Sequence, residues 1–114
     1  MGYMPRGVVA PYWDTMSGSY SRGDLRRAEA VLKALANRRR LSMLLALRRR
    51  ELHVGALAEE LRIPLKTVSR NLRLLERAGM VLSEVRQGRV FYRVNPEAPS
   101  LGQAIIRAAE VQER

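Results

Sequence analysis

The chain contains no cysteine, which excludes disulfides, thiolate metal sites and thiol redox chemistry. It holds one histidine, His53, so a metal site would have to be assembled from that residue and carboxylates. A solitary histidine is more often structural than a ligand, and no metal is expected. No apolar run approaches the ~18 residues of a membrane span. The opening stretch from Met1 to Pro11 has too short an apolar segment for a secretory signal, so a cytoplasmic protein without a membrane partner is expected. Nucleophile–base pairs, phosphate-cradling glycine loops and paired carboxylates are also missing. Neither an enzyme nor a cofactor is expected.

Acidic residues are scarce. Eleven Asp and Glu stand against 21 Lys and Arg, for a net charge of +10 and a pI near 11.3. A chain of 114 residues suffices for one domain with a modest core. Its charge is blocked rather than spread. Residues 22–50 carry ten cations against two anions, residues 51–61 carry −3, and residues 62–94 carry eight cations against two anions. Two basic blocks around an acidic one point to a polyanionic partner.

The basic block at 62–94 contains one helix with a readable start and stop. Pro64 suits a first turn, and Gly79 supplies a left-handed terminating residue. At about 100° per residue Val68, Leu72 and Leu75 share one side, while Lys66, Arg70, Arg73 and Arg77 lie within roughly 60° of each other opposite. The first three of these cations have no acidic partner at i+4, so the stripe repels itself unless it meets an anion.

Residues 1–23 are rich in Gly, Pro and Ser with Tyr3, Tyr12, Trp13, Met16 and Tyr20 interspersed, and are expected to form a flexible aromatic arm. Asp24 offers an N-cap, and Leu25, Ala28, Val31, Leu32 and Leu35 mark a first helix ending near Asn37. Arg38-Arg39-Arg40 opens a second helix whose core is Leu41, Leu44, Leu45 and Leu47. Cations at a helix start oppose its dipole, so at least one of them calls for an outside anion, whereas Arg48-Arg49-Arg50 suits a helix end. Glu51 to Val54 reads as a short extended link, Gly55 to Leu61 as a short third helix, and Arg62-Ile63-Pro64 as the turn into the fourth.

Helix, tight turn and cationic helix make a helix-turn-helix pattern. Beyond it, Leu82–Arg86, Gln87-Gly88 and Arg89–Val94 read as a two-residue hairpin. In that register Val85 faces Val90 and Ser83 faces Tyr92 on an inner side, Glu84 faces Phe91 on the outer side, and Arg86 faces Arg89 at the tip. Two arginines directly across a hairpin destabilise it, which suits a tip lying on a phosphate backbone. After a break at residues 95–100, Leu101, Ala104, Ile105, Ala108 and Val111 mark a last helix, widened by Ile106 and Ala109. Its small-residue stripe has little core left to serve and is expected to pack on a second subunit.

From Leu32 to Val94 the chain resembles the ArsR-type winged-helix repressors. Three stretches carry the likeness: Leu35 to Leu44, which is similar to the family's second-helix opening; Val68 to Val81, its recognition helix and turn; and Gly88 to Val94, its wing. The resemblance implies a mainly helical fold with a small hairpin wing, in the order α1-α2-(β)-α3-α4-β-β-α5. Divided by region, that is an arm at 1–23, a winged helix-turn-helix domain at 24–97 and a dimerisation helix at 98–114. The family's metal-sensing members carry a cysteine pair where this chain has His53 and Gly55, and its common recognition-helix histidine is Asn71 here.

The resulting expectation is a homodimeric transcription regulator, a repressor, that binds double-stranded DNA at an inverted repeat. Its inducer is unidentified. DNA contacts are expected from Lys66, Thr67, Ser69, Arg70, Asn71, Arg73 and Arg77 of the fourth helix and from Arg86, Gln87, Gly88 and Arg89 of the wing. Arg70 would fork onto guanine and Asn71 onto adenine, with Arg73 and Arg77 on phosphates. Dimer contacts are expected from Leu101, Ala104, Ile105 and Ala108. The alternatives are a winged-helix module docking on a protein or membrane surface, and a MarR-like regulator, a fold that usually needs a longer chain.

Overall fold

Five helices and a small antiparallel sheet are laid out along residues 21–112, the part of the chain that the computed structural model describes. The helices are α1 (Arg22–Leu35), α2 (Arg38–Arg49), α3 (Val54–Leu61), α4 (Leu65–Arg77) and α5 (Ser100–Gln112). Strands β1 (Leu52–His53), β2 (Val81–Arg86) and β3 (Arg89–Val94) form one sheet in the order β1-β3-β2. The aromatic arm expected before residue 21 lies outside the described residues.

Helix α1 starts one turn earlier than its apolar spacing suggests. Ser21, not Asp24, is the N-cap, and Asp24 returns the bond to the Ser21 N–H in a reciprocal capping box. The carboxyl of Asp24 is held below its ordinary value, first by that backbone bond and then by Arg27 and the Ser21 hydroxyl. The helix stops at Leu35, and Asn37 caps α2 by accepting from the Arg40 N–H at 3.0 Å. Two helices therefore meet at a two-residue corner.

The core is one cluster fed by every element. Val31 and Leu35 of α1, Met43, Leu44 and Leu47 of α2, Leu57 of α3, and Val68, Leu72 and Leu75 of α4 meet Met80, Val81, Tyr92, Ala98 and Ile106. The apolar stripe read for α4 is its buried face. The expected core of α2 shifts by part of a turn, because Met43 and Ala46 are buried while Leu41 and Leu45 are only partly so.

The link before α3 is a true strand, with Leu52 opposite Tyr92 and His53 opposite Phe91. The hairpin register is the expected one, from Ser83 opposite Tyr92 to Arg86 opposite Arg89. Gln87 and Gly88 both have positive φ, 52° and 75°, as a two-residue hairpin turn requires. The inner side is buried only at its root. Tyr92 is in the core, but Val85 is 70% exposed, because the hairpin extends past the helices.

Candidate nucleic-acid interface

The turn between α3 and α4 is tight because Arg62 takes a left-handed conformation, φ 57°, that lets its N–H bond back to the carbonyls of Ala58 and Glu59. Ile63 adds a bond to Ala58 at 3.1 Å. Pro64 sits one residue before α4 as its N-cap and contributes no side-chain cap, and the first turn has no acidic residue. The first N–H groups of α4 thus open outward with the positive end of the helix dipole.

Beside this start lies a cleft of about 520 Å³ between α3, α4 and the wing. Leu65, Lys66, Ser69 and Arg73 form one wall, Arg89 and Val90 of β3 another, and His53, Val54 and Gly55 the floor at the head of α3. Three cations and no carboxylate line it. Lys66, Arg70, Arg73 and Arg89 have no carboxylate partner among the described residues. Of these side chains Arg73 alone donates within the described residues, to the Ser69 hydroxyl at 3.2 Å. Such a surface presents fixed donors and positive charge to an extended polyanion.

His53 serves the fold. Its Nδ1 accepts the Ala56 N–H at 3.2 Å as the N-cap of α3, and its ring meets Phe91 edge-on with centroids 5.5 Å apart. A Cβ at Gly55 would come within 3.3 Å of the ring, so glycine lets the cap close.

Several expected contacts are placed elsewhere. Asn71 is buried, accepts from Arg40 Nη1 at 2.9 Å and donates to the Thr67 carbonyl at 2.9 Å. It lies on the core side of α4 and cannot fork onto adenine. Thr67 is half-buried beneath it. Arg86 is paired with Glu51, approached by Glu84 at 3.9 Å, and stacked 4.2 Å above the Phe91 ring. The expected repulsion with Arg89 is thereby relieved, and the free cation of the tip is Arg89. Gln87 and Gly88 stand exposed at the turn. Arg77 is exposed but lies away from the wing, bordering a hollow with Lys33 and Arg40 between α1, α2 and α4.

One member of the basic triplet at the head of α2 is met internally: Arg40 Nε and Nη2 donate to the carbonyls of Ala34 and Lys33, at the negative end of the α1 dipole, while Arg38 and Arg39 stand exposed. Arg48 and Arg50 pair with Glu110 and Glu60 at 3.3 and 2.9 Å. Outside the cleft lining, Leu25, Leu32, Leu101, Ala104 and Ala108 are exposed on the adjoining helices α1 and α5. Ile105 is half-buried against the core, and Ile106 is wholly inside it. The side chain of Val111 is outside what is described.

The pattern matches known proteins. A helix-turn-helix domain family model matches residues 35–84. The transcriptional activator HlyU of Vibrio cholerae is 38% identical over 69 residues, covering 60% of this chain and 64% of that relative. The solved HlyU from the same organism superposes with a TM-score of 0.69 at 30% identity, over 81% of this chain and 97% of its own. A winged helix-turn-helix domain from Mycobacterium bovis, described as homodimeric, DNA-binding and of possible ArsR family, superposes at 0.69 with 32% identity, over 84% and 88%. The chain belongs to the ArsR-type winged helix-turn-helix regulators. In that frame α3 and α4 are the helix-turn-helix and β2–β3 the wing.

Proposed function

We propose that this regulator binds double-stranded DNA as a homodimer, with α4 in the major groove and the wing on the flanking backbone. The observation that carries the reading is the carboxylate-free cleft in which Lys66 and Arg73 of α4 face Arg89 of the wing. A sugar–phosphate strand between two grooves has the shape and charge to lie there. Lys66, Ser69 and Arg70 occupy the first two turns of α4 and reach base edges, Arg70 being the side chain able to fork onto guanine. Arg73 and Arg89 hold phosphates. Arg77 and Arg86 contribute at most to the general field, and Asn71 and Thr67 take no part in reading.

The dimer forms through α1 and α5, supported by the apolar residues exposed on both and by the homodimeric Mycobacterium bovis relative. Two-fold symmetry makes the operator an inverted repeat with half-site centres about 10–11 base pairs, or a small multiple, apart. The action is repression where that operator overlaps a promoter. HlyU is described as an activator, and BigR of Xylella fastidiosa, at 27% identity and a TM-score of 0.61, as a repressor, so one fold serves both signs. A regulator that works on DNA acts in the cytoplasm, here without catalysis or a required metal. No helix among the described residues is long and apolar enough to cross a membrane.

Selection of bound sequences from a random duplex pool tests the reading. A palindromic consensus is expected, with Arg70→Ala relaxing preference at one symmetric pair of positions and costing more on the operator than on random duplex. Retention without any enriched sequence would overturn it in favour of a module that docks on a protein or an anionic surface.

A further inference from the structure

Apart from the phenol-bearing Tyr92, Asn71 is the one buried side chain with a polar group among the described residues. A buried amide is costly unless both ends are bonded, and here both are, to Arg40 and to the Thr67 carbonyl. Leucine would fill the same place without that polar requirement. What the amide adds is direction. Its partner is a planar guanidinium whose donors are fixed in a fork. One arm goes to α4, and Nε and Nη2 go to the carbonyls in the last turn of α1. A single rigid group thus ties the recognition helix to the helix that carries exposed Leu25 and Leu32. Apolar contacts between α1 and α4 tolerate small rotations that this fork does not.

We propose that the Arg40–Asn71 bridge is a positioning device that sets the orientation of α4 relative to the dimer face, and hence the half-site spacing the dimer accepts. The inference rests on the reading of α4 as the groove helix and of α1 and α5 as the dimer surface. In a two-fold dimer a swing of the α4 axis relative to α1 is applied twice, once in each subunit, so it changes the separation and tilt of the two groove helices. Asn71 acts through Arg40 and α1 and touches no base.

Binding of Asn71→Leu and Arg40→Lys is measured on duplexes carrying the selected half-sites at the optimal spacing and at one and two base pairs either side. In both variants discrimination against wrong spacing should fall about fivefold or more, and the double variant should be no worse than either single one. Base preference within each half-site should stay. Equal weakening at every spacing would make the bridge merely structural, and an altered consensus at unchanged spacing would make Asn71 a base reader; either overturns the proposal.

A second measurement needs no DNA. Because the chain has no cysteine, Arg26→Cys with Arg70→Cys places spin labels on α1 and α4 alone, and dilution with unlabelled chain isolates the distance within one subunit. Adding Asn71→Leu should shift or broaden that distance distribution, and an unchanged distribution would overturn the proposal. If the wild-type chain shows no preference for paired half-sites, the functional reading fails, while the label distances still decide whether the bridge orients α4.

Discussion

Tyr92 is carried into the core by β3 with 6% of its surface exposed. Burial pushes its phenol above the ordinary value of 10.0, the carboxylate of Glu76 adds to the rise, and Arg73 partly offsets it. The folded chain therefore keeps this proton longer than the unfolded one. Its contribution is constant at neutral pH and is lost as pH climbs from the ordinary tyrosine value towards the raised one. In an ultraviolet titration, the phenolate signal removed by Tyr92→Phe should have its midpoint above 10.0; a midpoint at or below it would contradict this account. Asn71 teaches a related lesson on α4. It stands about 100° past Arg70 on the helical wheel, nearer to Leu75 than to the cationic stripe. Periodicity already placed it at the edge of the core, and only its polar chemistry suggested the reading face.

The wing is the element where charge has to be apportioned. Arg86 and Arg89 are equivalent in sequence, but Glu51 and the Phe91 ring engage only Arg86. Arg89→Ala should therefore lower the slope of log affinity against log salt by about one, and Arg86→Ala by clearly less. Equal slopes would place both arginines on phosphates. Helix α5 depends on a glycine for a different reason. A Cβ on Gly102 would lie 2.3 Å from Met80 Sδ and 2.6 Å from its Cε, and Met80 has no exposed surface. Gly102→Ala should cost roughly 1–3 kcal/mol by overpacking, read from urea denaturation. A stability loss near zero would mean that Met80 finds another rotamer.

Across the whole molecule, two surfaces of opposite character are built from different residues. The cationic cleft gathers Lys66, Arg73 and Arg89, while α1 and α5 expose Leu25, Leu32 and Leu101 at 55%, 50% and 38%. Exposed leucines on adjoining helices lose little by burial in a symmetric contact and gain about 25 cal/mol for each Å² of apolar surface removed from water. Ala104 is exposed on α5, so Ala104→Glu should yield monomers in sedimentation without unfolding the chain. Ile105→Glu is a poorer probe, because Ile105 also packs on the core. An unchanged dimer in the Ala104 variant would move the interface to another face.

Local chemistry by itself determined the five helices, the hairpin register down to Arg86 opposite Arg89, the turn at Gln87-Gly88 and the buried side of α4. Each of these depends on residues near in sequence, through helical or strand periodicity and positive-φ turn positions. The likeness from Leu32 to Val94 added the family. Tertiary structure alone decided which cations are free. Arg40 and Asn71 are 31 residues apart, and Glu51 and Arg86 are 35 apart, and neither pairing leaves a trace in local spacing. The same holds for His53, whose cap on α3 is local but whose contact with Phe91 exists only because β1 pairs with β3. A charge's role depends on its nearest counter-charge, and in a folded chain that neighbour is set by packing rather than by sequence distance.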